Sequence, residues 1–183
     1  MKTPSTLLAL AVVAALAACG KASEKASEKA AEKMIESTME KDGSKAKVDL
    51  SSGGMKITTT DASGKTSQME MGTAKVSEAD IGLPFYPGTQ PKEGGMTKIS
   101  SPEGSVVTVM LHSDDAPEKV ADFYRDKLKA TSVGKQITDM TTGDTHMLMV
   151  GDDKTKQFTQ VTVMKNESKG SDIQIMANKG TPK

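Results

Sequence analysis

The stretch DDAPEKVADFYRDKL, residues 114–128, decides the fold that this sequence predicts. Asp115 and Glu118 have the spacing of a capping box, and Pro117 falls in the first turn, where proline is best tolerated. Apolar side chains then recur at the spacing of one helix face: Val120, Phe123, Tyr124 and Leu128. The pattern predicts an amphipathic helix that lies across a sheet.

Segments bounded by turn residues predict β-strands on both sides of this helix. A hairpin turns at Pro102-Glu103-Gly104, between strands at residues 96–101 and 105–112. Four further strands are predicted at about residues 133–140, 146–150, 158–164 and 172–177. We therefore predict an α+β fold, with an antiparallel sheet of about six strands and one amphipathic helix.

Weaker patterns precede this region. Residues 21–33 (KASEKASEKAAEK) predict a helical tether without a wide apolar stripe, which is typical of a solvated spacer; a helix interface with a partner is the alternative. The tether would end at Asp42-Gly43. Its last turns predict a docking face made of Ala31, Met34, Ile35, Thr38 and Met39.

Between the tether and the sheet, a small β-meander is predicted, with strands at residues 46–50, 55–60 and 66–71. Residues 82–95 (GLPFYPGTQPKEGG) predict an irregular connection because of their prolines and glycines. The predicted organisation is a signal peptide at residues 1–18, a lipidated cysteine and helical tether at 19–42, the meander at 43–73, the connection at 74–95 and the α+β domain at 96–179.

The N-terminus has the anatomy of a secretory signal. Lys2 precedes an apolar run at residues 7–18, which is too short to cross a bilayer as a helix. The run ends in Leu16-Ala17-Ala18-Cys19, which resembles the bacterial lipobox. The resemblance implies that Cys19 is acylated with chains such as palmitate and becomes the first mature residue. An ordinary secretory signal is the alternative.

Two motifs resemble a family of uncharacterised bacterial envelope proteins. These are LPFYPG at residues 83–88, which fits the family pattern LPxYPG, and DAPEKVADFY at 115–124, which fits DxPEKVxxFY. The resemblance covers about residues 75–178 and implies an envelope protein, but it carries over no catalytic or binding role.

Gly20 follows the cysteine of the lipobox-like motif, at a position where inner-membrane lipoproteins usually carry Asp. The resemblance therefore favours the outer membrane, and we expect the protein on its periplasmic face.

Composition excludes some classes of protein. The formal net charge is zero, so the chain lacks the basic footprint of a nucleic-acid-binding protein. The single cysteine of the chain is assigned to lipid, so we predict no disulfide. No cofactor motif is present in the sequence.

Thirteen methionines raise the question of metal binding, because thioethers select Cu(I). Methionine also serves as flexible core filler, and this is the interpretation that we favour from sequence. The Cu(I) candidates are Met69, Met71, Met110, His112, Met147 and Met149. Zinc is not favoured, since only two histidines and no free cysteine are present.

Hydrolase chemistry has weak support. His112 with Asp114, or His146 with Asp144, could pair as a base and its orienting carboxylate. No G-x-S-x-G nucleophile motif accompanies either pair. The sequence therefore predicts a lipid-anchored, non-enzymatic envelope protein that binds an unknown envelope partner. A periplasmic Cu(I)-binding protein and an unrecognised hydrolase are the alternatives.

Overall fold

Nine antiparallel strands form a single sheet in the described part of the chain, in the spatial order β1-β2-β3-β4-β5-β9-β8-β7-β6. The computed structural model describes residues 20–40, 44–50, 53–132, 135–152 and 154–180, so Cys19 and Asp42-Gly43 lie outside the described residues. The elements are α1 (Gly20–Met39), β1 (Lys45–Asp49), β2 (Met55–Thr60), β3 (Thr66–Met71), α2 (Glu78–Ile81), β4 (Pro91–Ser101), β5 (Gly104–Ser113), α3 (Pro117–Thr131), β6 (Ile137–Thr142), β7 (Thr145–Asp152), β8 (Gln157–Lys165) and β9 (Ser171–Gly180).

The predicted fold class, an α+β fold with about six strands and a separate meander, is wrong. The predicted meander, now β1–β3, continues the main sheet because β3 pairs with β4, with Met69 opposite Ile99. A three-stranded meander with a shallow apolar side is unstable by itself, and pairing with an open strand edge satisfies its backbone groups. The molecule is dominated by one large sheet with few helices.

The predicted connection at residues 82–95 is also more regular than expected. The short helix α2 ends just before it, and β4 begins within it at Pro91. A register shift between Pro91 and Met96 marks a bulge in the β4–β5 hairpin. Five residues between positions 74 and 86 belong to the main core, namely Ala74, Val76, Ile81, Leu83 and Tyr86.

The helix α3 covers one face of the sheet, as its apolar spacing indicates. Val120, Tyr124 and Leu128 on α3 are at most 1% exposed. They belong to one core cluster with buried strand residues that include Val109, Leu111, Leu148, Val161, Val163, Ile173 and Ile175. Burial of this apolar surface is the main source of stability in such a layer.

The predicted capping box of α3 is wrong. The residue before the first turn is Ala116, which supplies no side-chain cap. The Asp115 carboxylate instead accepts hydrogen bonds from Tyr86 Oη at 2.7 Å and Lys119 Nζ at 3.0 Å, which lower the pKa of Asp115. A capping box is present in α2, between Ser77 and Asp80.

Tyr86, from the LPFYPG motif, fastens its loop to α3. Its ring packs edge-on against Phe123 at a centroid distance of 5.1 Å. Burial and the hydrogen bond to Asp115 raise the pKa of Tyr86 to about 12. The LPFYPG motif therefore has a structural role, because its tyrosine holds the loop before β4 against α3.

A row of glutamates on α1 closes the outer edge of β1. Oε1 of Glu32 accepts the backbone N–H of Leu50 at 2.9 Å, and that of Glu36 accepts the N–H of Val48 at 2.8 Å. Glu40, just after the helix, accepts the N–H of Ala46 at 3.3 Å. Four helical residues rise about 6 Å and two strand residues about 6.6 Å, so the two spacings match.

We name these three residues, Glu32, Glu36 and Glu40, the glutamate row. It changes the interpretation of α1, because the predicted docking face is wrong in part. Ala31 and Ile35 are half-buried, but Met34 is 72% exposed, and Thr38 and Met39 are also exposed. The carboxylates, which sequence analysis treated as a solvated face, make the specific contacts.

We expect the double substitution Glu32→Lys, Glu36→Lys to open the β1 edge. A hydrogen bond to a charged group contributes about 1.5–3 kcal/mol, so exchange of the Val48 and Leu50 amides should accelerate roughly tenfold or more. Hydrogen–deuterium exchange with residue resolution measures this. Ala30→Lys with Met34→Lys, on the exposed side of α1, is the matched control. Equal exchange in all three proteins would show that the glutamate row does not protect the edge.

Candidate functional site

The face of the sheet opposite α3 carries most of the methionines of the chain. Strand register places nine side chains on this face: Met55, Met69, Met71, Met110, Met140, Met147, Met149, Met164 and Met176. We call it the methionine face. Of the helices in the described ranges, α2 and α3 lie on the core side, and α1 lies along β1 at one edge, where Val48 and Ile57 of the methionine face are 4% and 9% exposed.

The favoured core-filler interpretation does not fit this placement. Among the described residues no methionine is in the fully buried core, and Met96 is the one methionine that packs against it. Met71 is 39% exposed and Met140 is 48% exposed. Apolar side chains that lie outside the core and reach solvent are candidates for a binding surface.

All six Cu(I) candidates from the sequence lie on the methionine face, but on three separate strands. Met69 and Met71 are on β3, Met110 and His112 on β5, and Met147 and Met149 on β7. Sequence analysis missed two further methionines that stand directly opposite these, because register cannot be deduced from alternation. Met55 is opposite Met71, and Met140 is opposite Met147.

His112 lies at one end of the methionine face, in a charged network. Its Nδ1 is 3.1 Å from Asp172, and its Nε2 is 3.7 Å from Asp114. Asp172 also accepts hydrogen bonds from Lys92 Nζ at 2.6 Å and Asn166 Nδ2 at 2.8 Å. Partial burial alone would raise the pKa of Asp172, but these donors lower it to about 2.

The two predicted hydrolase pairs have different outcomes. His112 and Asp114 are brought together, but the partners of His112 are carboxylates and not a nucleophilic hydroxyl. His146 and Asp144 do not meet, since Nδ1 of His146 is 3.1 Å from Thr141 Oγ1 and Asp144 pairs with Lys165. Across the described ranges, no three His, Cys, Asp or Glu side chains are grouped to hold a metal ion.

Among the hollows that adjoin the sheet, one lies on the core side and one lies at the end of the methionine face. One, of about 170 Å³, opens between the end of α3 and the core side of the sheet, beside Leu128 and Val150. The other, of about 580 Å³, is a groove at one end of the methionine face; Ile99 and Val106 lie on its floor, with lysines at residues 154 and 156. Pockets for organic ligands usually measure about 300–1,000 Å³, so the groove has the size of a ligand site and the core-side hollow does not.

Comparison with known proteins gives one similarity. A family model described as START domain-like matches residues 92–175, which run from β4 into β9 and include α3. This similarity is compatible with a non-enzymatic binding module. No curated protein and no solved structure matches the chain.

No helix in the described part of the chain is both long and apolar enough to span a membrane.

Proposed function

We propose that this chain is a non-enzymatic binding module, lipid-anchored at Cys19 in a bacterial envelope, whose methionine face receives an apolar surface of an envelope partner. Gly20 favours the outer membrane, and we propose that the domain lies on its periplasmic side. The observation that carries the binding role is the placement of nine methionines on one sheet face outside the core, where two are exposed and seven are half-buried.

Methionine suits such a surface for a physical reason. Its side chain is unbranched and polarizable, so a methionine surface can adjust to the shape of an apolar partner, and such residues are common at adaptable binding surfaces. The START domain-like similarity over residues 92–175 is compatible with the same role. The matched region contributes the central strands of the face, with Met110 on β5 and Met164 on β8.

The arrangement of polar groups supports a role without catalysis. His112 and Asp172 are engaged with each other, and Lys92 and Asn166 complete the contacts of Asp172. Nε2 of His146 is buried and has no hydrogen-bond partner among the described residues. The partners of His112 are carboxylates, and His146, which is only 7% exposed, contacts the Thr141 hydroxyl from the core side of the sheet, where a substrate has little access.

Site-specific photocrosslinking in living cells tests the binding role. A photoreactive residue at position 149 or 176, on the methionine face, is expected to give the same crosslinked partner. Positions 122 and 126, on the exposed side of α3, serve as controls and should not give it. Adding Met147→Lys to the position-149 variant should abolish the adduct, because a charge on the face must be desolvated on binding.

Circular dichroism would verify that the Met147→Lys protein remains folded. Equal adducts from both sides of the sheet, or an adduct that survives Met147→Lys, would contradict a partner site on the methionine face.

A further inference from the structure

Six methionines of this face form two groups with the same arrangement. In the first group, Met55 on β2 is directly opposite Met71 on β3, and Met69 is two residues away from Met71 on the same strand. We call these three the β2–β3 triad. This triad thus has one cross-strand pair and a third methionine on the same sheet face.

The second group is at the far end of the sheet. Met140 on β6 is directly opposite Met147 on β7, and Met149 is two residues away from Met147. We call these three the β6–β7 triad. The two triads come from different hairpins at opposite ends of the sheet.

The backbone geometry places the three thioethers of each triad within reach of a common point. Directly opposite residues have Cβ atoms about 4.5–5.5 Å apart, and a diagonal neighbour lies about 7–8 Å away. A methionine side chain has three rotatable bonds beyond Cα, which allow its sulfur to move over such distances. Met71 and Met140 are exposed, so an ion can enter each triad from solvent.

The surroundings of each triad favour a soft, monovalent ion. Beside the β2–β3 triad, the same face carries Ile57 and Ile99. Beside the β6–β7 triad it carries Thr138 and Thr162. Neither triad has a carboxylate or imidazole directly beside it at these positions, so hard cations lack their preferred oxygen ligands, whereas thioethers bind Cu(I).

We propose that each triad binds one Cu(I) ion through its thioether sulfurs, so that the chain holds two. This inference rests on the proposed function, because it names a ligand of the methionine face. Binding involves no change of oxidation state and no proton, since a thioether is a neutral ligand. Copper binding requires the thioether sulfur, whereas partner binding requires only an apolar surface. Substitution of methionine by leucine therefore distinguishes the two roles, because leucine is apolar and has no sulfur.

Competition with a chromophoric Cu(I) chelator under anaerobic, reducing conditions tests the proposal. The full chain is used with Cys19→Ser, which removes its single thiol. We expect two equivalents of Cu(I) to be retained. Met55→Leu with Met71→Leu, and separately Met140→Leu with Met147→Leu, should each reduce this to one, and the quadruple variant should bind at least tenfold more weakly.

Met34→Leu with Met39→Leu, on α1 and outside the sheet, is the matched control and should retain both ions. X-ray absorption of the bound copper should show sulfur neighbours that are lost in the quadruple variant. Failure of the Cys19→Ser chain with all its methionines to retain Cu(I), or full retention by the quadruple variant, would overturn the proposal.

The same variants distinguish this inference from the proposed function. Leucine keeps the face apolar, so the quadruple variant should still give the crosslinked partner from position 176, whereas Met147→Lys should not give it from position 149. Loss of copper binding with an intact adduct supports both proposals. Absence of copper binding in the Cys19→Ser chain with all its methionines, with the adduct intact, overturns the copper sites and leaves the partner site standing.

Discussion

The Cys19→Ser variant is expected to incorporate no labelled palmitate and to retain its signal peptide. The thiolate is the nucleophile that cysteine offers for attachment of a lipid, and a serine hydroxyl at this position is a much weaker one. Without acyl chains the protein also loses its membrane attachment, because each buried methylene contributes about 0.8 kcal/mol to binding. Radiolabelling in the native host, followed by precipitation of the protein, measures the effect.

A neighbouring substitution provides the control for this experiment. Ala22→Ser lies close to the cysteine but leaves the thiol and the apolar run at residues 7–18 intact. It should incorporate palmitate at the wild-type level. If wild type and Cys19→Ser are labelled equally, Cys19 is not the acylated residue and the anchor part of the proposed function is wrong.

Tyr124→Ala is expected to produce the largest loss of stability among substitutions in α3. Tyr124 is fully buried, and its ring packs against those of Phe123 at 5.0 Å and Tyr86 at 6.5 Å between centroids. Truncation of a buried aromatic side chain costs about 3–5 kcal/mol. Against a typical total of about 5–15 kcal/mol, the melting temperature should fall sharply, as calorimetry would show.

Two comparisons sharpen this prediction. Phe123 is only half-buried, with Lys127 Nζ 5.3 Å from its ring centroid, so Phe123→Ala should cost less than Tyr124→Ala. Tyr124→Phe should be close to neutral, because Oη of Tyr124 has no hydrogen-bond partner among the described residues. The backbone of Tyr86 lies near this hydroxyl but outside hydrogen-bond geometry, and burial raises the pKa of Tyr124.

If Tyr124→Phe lost as much stability as Tyr124→Ala, the ring would not be the stabilising feature. If Phe123→Ala were the more damaging of the two alanine substitutions, the orientation of α3 on the sheet would be wrong.

Local patterns predicted the elements of this fold better than their assembly. The hairpin around Pro102-Glu103-Gly104 is present as β4 and β5, because turn residues and alternation are local signals. The pairing of β3 with β4 depends on which strand edge is free in three dimensions. The sequence between them, residues 72–90, contains no signal for that choice, so a continuous sheet was divided into two parts.

The candidate site shows the same limit. Alternation alone placed Met69 with Met71 on one strand face. It could not show that Met55 stands opposite Met71, because that relation depends on the register of β2 against β3. Nor could it show that the opposite side of the sheet receives α3, which leaves the methionines outside the core.

The glutamate row has a mechanical consequence for a domain attached to a membrane. With Cys19 held by lipid, as proposed, any force between the membrane and the domain enters through the N-terminus of α1. The helix runs antiparallel to β1, so a pull away from the sheet loads Glu32 first, then Glu36 and then Glu40. Contacts that are loaded one after another separate at lower force than contacts loaded together. The 20-residue helix, about 30 Å long, would then act as an extensible link that lengthens under tension while the sheet remains folded.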